Sequence, residues 1–404
     1  MKNILVVGGG ANQIPLIEAS KREGYRVTVV DYAGEHCPAF GMVDRFYDVS
    51  TQDEEAIYEV AQNERIDGII SNSEASMLIV NRIAERLNLM GNPVDGINDL
   101  VSKSRFRELQ RSVGVFSAHC QEVTTAEEAM AVAKRLRKSI IMKPDVSSGS
   151  RGCKKIDYLA TNDVKATFET CSQYSRDRKV VVEEWVAMPS LQTIEGDVFV
   201  CDDSIIWDGL FYTTRACWAP MVPMTYTAPM QINKVLVDQI KETVRRILKA
   251  ADIRYGAFNM EGFFTERGEF FVIEINARQG GNFLPLFLQR ATGIDYNRLL
   301  VTTCVGDDSY LKNVMRSECS RRYVAMHSVY NEKEGAYDGL IIDPTIADYV
   351  TDVRELLKAG DHVEACIDGT SIVASVDMEF DSLEKLYEIS PRVMDNIHVK
   401  LKHG

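Results

Sequence analysis

Glu261 and Glu274, thirteen residues apart in the stretch NMEGFFTERGEFFVIEINARQGG, are the side chains of this sequence best placed to act together. The stretch reads as two strands joined at Arg267-Gly268, a two-residue turn that pairs Glu266 with Glu269. Continued outward, that register sets Glu261 opposite Glu274. Period-two alternation puts Asn259, Glu261, Glu274, Asn276 and Arg278 on one face, and Phe258, Met260, Phe264, Phe271, Ile273 and Ile275 on an apolar one. Directly opposed residues have Cβ atoms about 5 Å apart, and like charges there destabilise a sheet. A cation should hold the pair together. Two carboxylates and an amide oxygen are hard ligands that suit Mg²⁺, which usually completes its shell with substrate phosphates. A solvated hairpin face would explain the pair alone equally well. Arg278 and Gly280-Gly281 directly after the strand tip the reading toward a metal–nucleotide site.

Lys143 ends an apolar strand, Ile140-Ile141-Met142, and precedes Pro144, so its ammonium is delivered to an open sheet end. The loop Ser147-Ser148-Gly149-Ser150-Arg151-Gly152 follows, and its glycines let backbone N–H groups approach phosphate oxygens closely. Taken alone, a mobile surface loop explains it as well. No GxxxxGK[ST] string occurs, which excludes a Walker-type phosphate loop.

These residues need a scaffold, and the sequence sketches one. The first hundred residues alternate strand (4–7, 27–31, 68–71) with helix (13–23, 54–63, 76–87), the rhythm of βαβ units and a parallel sheet. Loops at the carboxyl ends of such strands are the expected ligand side: Gly9 to Asn12, His36-Cys37-Pro38 and Asn72-Ser73-Glu74. Gly8-Gly9-Gly10 with Asp31 mimics a dinucleotide fingerprint, but Gln13 stands where the last glycine belongs. From residue 102 the pattern changes. Helices are expected over 104–113 (opening with Lys103, Arg105 and Arg107), 126–136, 236–251 and 284–291, and strands over 139–143 and 179–184. After residue 309 come strands over 322–329, 363–367 and 371–378 and a helix over 381–390, read as a small separate domain. The stretch from Trp207 to Tyr226, with Trp218, Met221 and Met224, reads as a loop that lines an apolar pocket or simply packs.

The chain of 404 residues is 45% hydrophobic and 26% charged, enough for a sizeable core in two or three domains. A formal charge of −13 argues against nucleic acid or an anionic membrane as a general partner. Nine scattered cysteines with no metal-like spacing suggest free thiols in a reducing, cytoplasmic compartment. No apolar stretch approaches the ~20 residues of a membrane span, and MKNILVVGGG reads as a first strand rather than a signal peptide.

The order Lys103, Lys143, Gly/Ser loop, VVVEEWV, Glu261, then Glu274-x-Asn276-x-Arg278-x-Gly280-Gly281 resembles the ATP-grasp superfamily over nearly the whole chain. The resemblance implies an α/β fold. A Rossmann-like pre-ATP-grasp domain would span 1–100, an ATP-grasp domain 101–310 with a mobile lid at about 115–185, and a small β-rich domain 311–404. It implies that Lys103 and Lys143 contact ATP phosphates and that Ser147, Ser148, Gly149, Ser150 and Gly152 form the phosphate loop. Glu183 would accept from the adenine amino group, with Trp185 and Val186 beside it. Glu261, Glu274 and Asn276 would ligate Mg²⁺, with Mn²⁺ as an alternative, and Arg278 would stabilise the transferring phosphoryl group. Glu195, Asn72, Ser73, Glu74, Gly280, Gly281 and Asn282 are the expected substrate contacts. Pro189-Ser190-Leu191 stands where relatives often carry glycine-proline-glutamate, so no ribose contact is assigned.

The reaction the resemblance implies is ATP-dependent joining of a carboxylate, such as that of an amino acid, to an amine. The segment GGNFLPLFLQRATGIDY resembles amino-acid and dipeptide ligases of that superfamily. Its substrates would be small molecules, and a homodimer is a family expectation. Three alternatives stand beside it: a purine-pathway or carbamoyl-phosphate-like reaction on formate or bicarbonate, an NAD(P)-dependent oxidoreductase, and a non-catalytic nucleotide sensor.

Overall fold

A computed structural model of the chain describes residues 1–402 except 33, 148, 159–162, 176, 203, 318 and 320, with no side chain described at 35. Ser148 of the expected phosphate loop therefore lies outside the described residues. The N-terminal strands Asn3–Val7 (β1), Arg26–Asp31 (β2), Arg45–Asp48 (β3) and Gly68–Ile70 (β4) form a parallel sheet in the order β3-β2-β1-β4. β1 is NILVV and is buried at every position, as a strand covered by helices on both faces must be. Helices Ile14–Arg22 and Glu54–Glu64 supply that cover; the second is capped by Asp53, which accepts from the Ala56 N–H.

Strands Cys120–Val123 (β5), Ile140–Pro144 (β6), Lys154–Ile156 (β7) and Val180–Glu184 (β8) form a separate antiparallel sheet, ordered β5-β8-β6-β7. It falls within the expected lid. Helices Ala126–Leu136 and Asp163–Gln173 pack on it through Ala129, Val132, Phe168 and Cys171. The first opens with a Thr125–Glu128 capping box.

The centre of the molecule is one eight-stranded antiparallel sheet. Its N-terminal contributors are Gln192–Cys201 (β9), Ser204–Ala216 (β10), Ala219–Ala228 (β11), Tyr255–Phe264 (β12) and Phe270–Asn276 (β13). The C-terminal strands are Tyr323–Val329 (β14), Gly335–Ile342 (β15), Val350–Glu355 (β16), His362–Val363 (β17), Ala374–Phe380 (β18) and Ile397–Leu401 (β19). The large sheet runs β13-β12-β9-β10-β11-β14-β18-β16, and β17-β15-β19 forms a small sheet.

Four expectations are corrected here. The boundary placed at residue 310 falls inside a continuous sheet, because β11 pairs with β14 from Thr225↔His327 to Ala228↔Val324. The stretch from Trp207 to Tyr226 is a long hairpin, β10 and β11, rather than a loop. Its prolines sit near the β-bulge at Arg215 and at the strand ends, where a missing N–H is tolerated. The expected strand at 363–367 shrinks to His362–Val363, and the last strand of the large sheet begins at Ala374 rather than Ser371. Among the described residues no helix is long and apolar enough to cross a membrane.

Candidate active site

Glu261 and Glu274 are directly opposed, as expected, with Asn259 opposite Asn276. The route to that register is different. The turn holds three residues: Thr265 N–H donates to Glu269 O at 2.9 Å, and Gly268 takes a left-handed φ of 75° that glycine adopts without strain. Glu266 and Glu269 are therefore not partners. Phe264 pairs with Phe270, Phe263 with Phe271 and Gly262 with Val272, one residue off the expected register. A bulge at Ile273 then restores it. Between turn and bulge the alternation of β13 is inverted, so Phe271 and Ile273 leave the core face assigned to them and line a cavity with Phe263. Phe270 and Val272 take their places in the core.

The bulge is held from outside the sheet. β13 is an edge strand, with carbonyls free to accept. Arg107, from the helix Lys103–Ser112, donates to Ile273 O at 2.9 Å and Val272 O at 3.3 Å, and Gln110 donates to Val272 O at 2.8 Å. The same guanidinium, 1% exposed, donates to Glu183 Oε2 at 2.9 Å. Glu183 in turn accepts from Lys143 Nζ at 3.1 Å. Burial alone would raise the Glu183 carboxyl, but the two cations outweigh it and hold it down to about 2. The carboxylate expected to accept from adenine thus has Arg107 and Lys143 as its partners, and it positions Lys143.

The two motif lysines converge through Asp145. Its backbone carbonyl accepts from Lys103 N–H at 3.1 Å and its carboxylate from Ser104 N–H at 2.8 Å, seating the helix N-terminus beside the end of β6. Lys103 Nζ reaches over to Ser147 O at 2.8 Å, in the loop expected to hold phosphate. Ser150 Oγ donates to Met221 O at 3.0 Å, and Gly149 O accepts from Gly369 N–H at 3.0 Å, so this loop rests on the β10–β11 hairpin and on a C-terminal loop. Lys103, Lys143, Ser147, Gly149, Ser150, Glu183, Trp185 and Val186 all border one cavity, floored by Phe263, Phe271 and Ile273. Gly152 lies outside that lining, beneath Tyr174 and Pro144.

Glu261 and Glu274 border this cavity and a second one of about 740 Å³ that opens toward the N-terminal sheet. Glu195, Asn276, Arg278, Gly281, Asn282, Asn72, Ser73 and Glu74 line the second cavity. Gly280 does not line it: its N–H donates to both oxygens of Asp197, at 2.9 and 3.1 Å, and Asp197 also accepts from Asn259 Nδ2 at 3.0 Å. Burial pushes Asp197 up to about 6 against those donors.

Across β9, β12 and β13 the residues Glu195, Glu261 and Glu274 form one row. Burial and then Glu261 push Glu195 up to about 8, opposed by the Thr213 hydroxyl at 2.8 Å. Burial likewise raises Glu261, against the ion pair it makes with Arg215. Asn276 Nδ2 donates to Glu274 Oε1 at 2.9 Å. This donor set fits a divalent ion: Arg215 is paired with Glu261 alone, and a further cation would offset the cost of the other carboxylates in the row. Among the described residues no three His, Cys, Asp or Glu side chains converge on a common metal point, so phosphate oxygens would complete the shell.

Arg215 and Asp197 were not singled out from the sequence, and Arg107 was named only as part of its helix, with no role in the site. Arg107 stands four residues after Lys103, hence on the same helix face, and Asp197 alternates with Glu195. Arg215 was hidden by reading its hairpin as a loop. The dinucleotide fingerprint is corrected too. Asp31 Oδ2 accepts from Gly9 N–H at 2.8 Å, and a Cβ on Gly9 would lie 2.4 Å from Cys37 Sγ, so the loop is closed on itself.

Comparison with known proteins agrees with this geometry. Residues 111–304 match the family model for the D-Ala D-Ala ligase C-terminus. The chain is 26% identical over 307 residues to the uncharacterized protein y4rH of Sinorhizobium fredii, a match covering 74% of this chain and 62% of that one. It is 23% identical over 331 residues to the carbamoyl phosphate synthase large chain of a Thermotoga species, covering 76% of this chain and 28% of that one. The matched stretch therefore spans less than two thirds of either relative. The crystal structure of L-amino acid ligase from Bacillus licheniformis superposes with a TM-score of 0.83 at 18% identity, covering 100% of this chain and 99% of that one. With a family model matching its centre and that superposition over the whole chain, the chain has the fold of the ATP-grasp ligases.

Proposed function

We propose that the protein is an ATP-dependent carboxylate–amine ligase that passes through an acyl phosphate. The observation that carries this reading is the shared wall: Glu261 and Glu274 border both a cation-lined cavity that suits a nucleotide and a larger cavity that holds Arg278. A carboxylate is a poor acylating agent because its leaving group is oxide. Attack of its oxygen on the γ-phosphorus of ATP, with ADP leaving, converts that oxygen into part of a phosphate leaving group. Attack of the amine nitrogen on the carbonyl carbon then expels phosphate, and the nitrogen loses a proton.

The first step brings two anions together, so cations aimed at the γ-phosphoryl govern its rate. Lys103 and Lys143 supply them from the nucleotide side and Arg278 from the other. Mg²⁺ held by Glu261, Glu274 and Asn276 would neutralise phosphate charge between the cavities; Mn²⁺ has the same ligand preference. Trp185, Val186, Met188, Phe263, Phe271 and Ile273 give an apolar slot for a planar base. The phosphate loop, seated on Met221 and Gly369, excludes water that would hydrolyse the acyl phosphate.

The test is ADP release with a panel of carboxylates in the presence of Mg·ATP and hydroxylamine, which traps acyl phosphates as hydroxamates. Hydroxamate formed in step with ADP supports the reading. ADP release with formate or bicarbonate, and none with amino acids, would transfer it to the small-acid chemistry of the carbamoyl phosphate synthase relatives.

A further inference from the structure

Glu261 already holds a cation. Arg215 pairs with it through Nη2, and Nη1 of the same guanidinium donates to Thr193 Oγ1 at 2.6 Å. The sheet brings these groups together. Glu195 stands opposite Glu261 on one side and Phe211 on the other, and Thr193 stands opposite Thr213. Alternation then puts Thr193, Arg215 and Glu261 on the face that carries the carboxylate row. The Arg215 backbone N–H donates to Leu191 O at 2.9 Å, which fixes where its side chain starts. At 4% exposure the residue has almost no water to retreat into.

Glu261 is also one of the ligands assigned to Mg²⁺, and it faces Glu274 across the strand pair. A guanidinium and a divalent ion on one carboxylate repel each other strongly where water is excluded. If Arg215 gives way to the ion, its own charge is left buried without a partner, which is again costly. Glu195, the next carboxylate in the row, lines the second cavity and accepts from the Thr213 hydroxyl at 2.8 Å. Arg215 instead borders the cavity that Lys103 and Lys143 line. A polyphosphate in that cavity answers both costs: its oxygens complete the shell of the ion and accept from the displaced guanidinium.

We propose that Arg215 is a resident counterion that holds Glu261 against free divalent ions and yields it only when a nucleotide brings phosphate oxygens. Metal and nucleotide then bind as one unit, each raising the affinity for the other. This rests on the metal–nucleotide part of the ligase reading, and it gives Arg215 control of metal entry.

The test is Mn²⁺ binding to the full chain without nucleotide, followed by the electron paramagnetic resonance signal of the free ion. The unaltered protein is expected to bind Mn²⁺ weakly. Arg215→Met, which leaves Glu261 without its cation, should bind it at least about tenfold more tightly. Adding Glu274→Ala to Arg215→Met should abolish that gain, and Arg215→Lys should stay within about threefold of the unaltered protein. Arg215→Gln takes the place of the methionine variant if that one does not fold. A gain below about tenfold in the neutral variant, a gain that survives Glu274→Ala, or an equal gain in Arg215→Lys would overturn the proposal. So would micromolar binding of Mn²⁺ alone by the unaltered protein that Glu274→Ala removes. Hydroxamate formation by the unaltered protein, with hydroxylamine in place of the amine, reports separately on the ligase reading. Hydroxamate without the Mn²⁺ gain sinks only the counterion role, whereas the gain without hydroxamate sinks only the ligase.

Discussion

Lys103, Lys143 and Arg215 line the cavity proposed for the nucleotide, whereas the cavity on the other side of the Glu261–Glu274 row has Arg278 as the only lysine or arginine among its described lining residues. Both cavities hold their key cation against a carboxylate: Lys143 against Glu183, and Arg278 against Glu74. The difference lies in what stands behind the carboxylate. Glu183 is also paired with Arg107, so its charge stays compensated when Lys143 turns to a phosphate. Glu74 has Arg278 as its only ion-pair partner among the described residues, and burial raises its carboxyl against the fields of Arg278 and Lys103. A buried charge is tolerated only when paired, so Lys143 can turn to an anion with Glu183 still compensated, whereas Arg278 cannot do so without leaving Glu74 short of a counterion.

The comparison breaks most visibly at the wall the two cavities share. Glu274→Ala is expected to lower turnover by about 10³-fold or more, because one mutation removes metal charge from both sides. Wild-type-like ADP release at saturating Mg·ATP and substrate would refute the shared-wall assignment. Next comes the brace behind Lys143. Arg107→Met leaves Glu183 with one partner and takes from the bulge one of its two donor side chains, Gln110 remaining, at an expected cost of about 3–5 kcal/mol in denaturant unfolding. Adding Glu183→Gln should recover part of that loss, since the uncompensated charge is gone; no recovery would mean the bulge carbonyls dominate.

A control outside both cavities is His327, buried on β14 with its Nδ1 2.9 Å from Thr225 Oγ1. Burial lowers its pKa from 6.5 to about 4. The unfolded chain therefore binds a proton at a pH where the native one does not. Stability is fully present above pH 6.5 and is lost as pH falls from 6.5 to 4, by roughly 3 kcal/mol. His327→Gln should flatten that part of the stability–pH curve and leave ATP affinity alone. Within the cavity proposed for the nucleotide, Lys143→Ala should raise the KM for ATP about 10- to 100-fold, from the loss of a charged hydrogen bond. The smallest effect belongs to the turn: Gly268→Ala, at φ 75°, should cost about 1 kcal/mol of stability with no change at either cavity.

Much of the site was legible because its chemistry is local. Lys143 at a strand end, the Gly/Ser loop and the alternating Glu274-x-Asn276-x-Arg278 follow from strand periodicity and residue type alone. Three strands of the parallel N-terminal sheet were legible as buried apolar runs between helices, whereas β3, RFYD with exposed ends, gave no such signal. The β10–β11 hairpin was not, since its prolines argue locally against a strand and only the neighbours β9 and β14 make room for one. Nor was the continuity of the large sheet past residue 310, which depends on pairing between segments about a hundred residues apart.

The opposed glutamates mark the division. Sequence by itself determined that Glu261 and Glu274 share a face with Asn276 and Arg278, because a pleated strand offers only two faces and the apolar residues claim the other. Tertiary structure decided how that came about. A longer turn moved the register by one residue, and Arg107 and Gln110, reaching from a helix some 160 residues earlier, hold the bulge that moved it back. The same bulge sent Phe271 and Ile273 into the cavity that Lys103 and Lys143 line. Period-two reasoning could not place them, because an extra residue inverts the alternation and its position is set by carbonyls that only a distant guanidinium and amide satisfy.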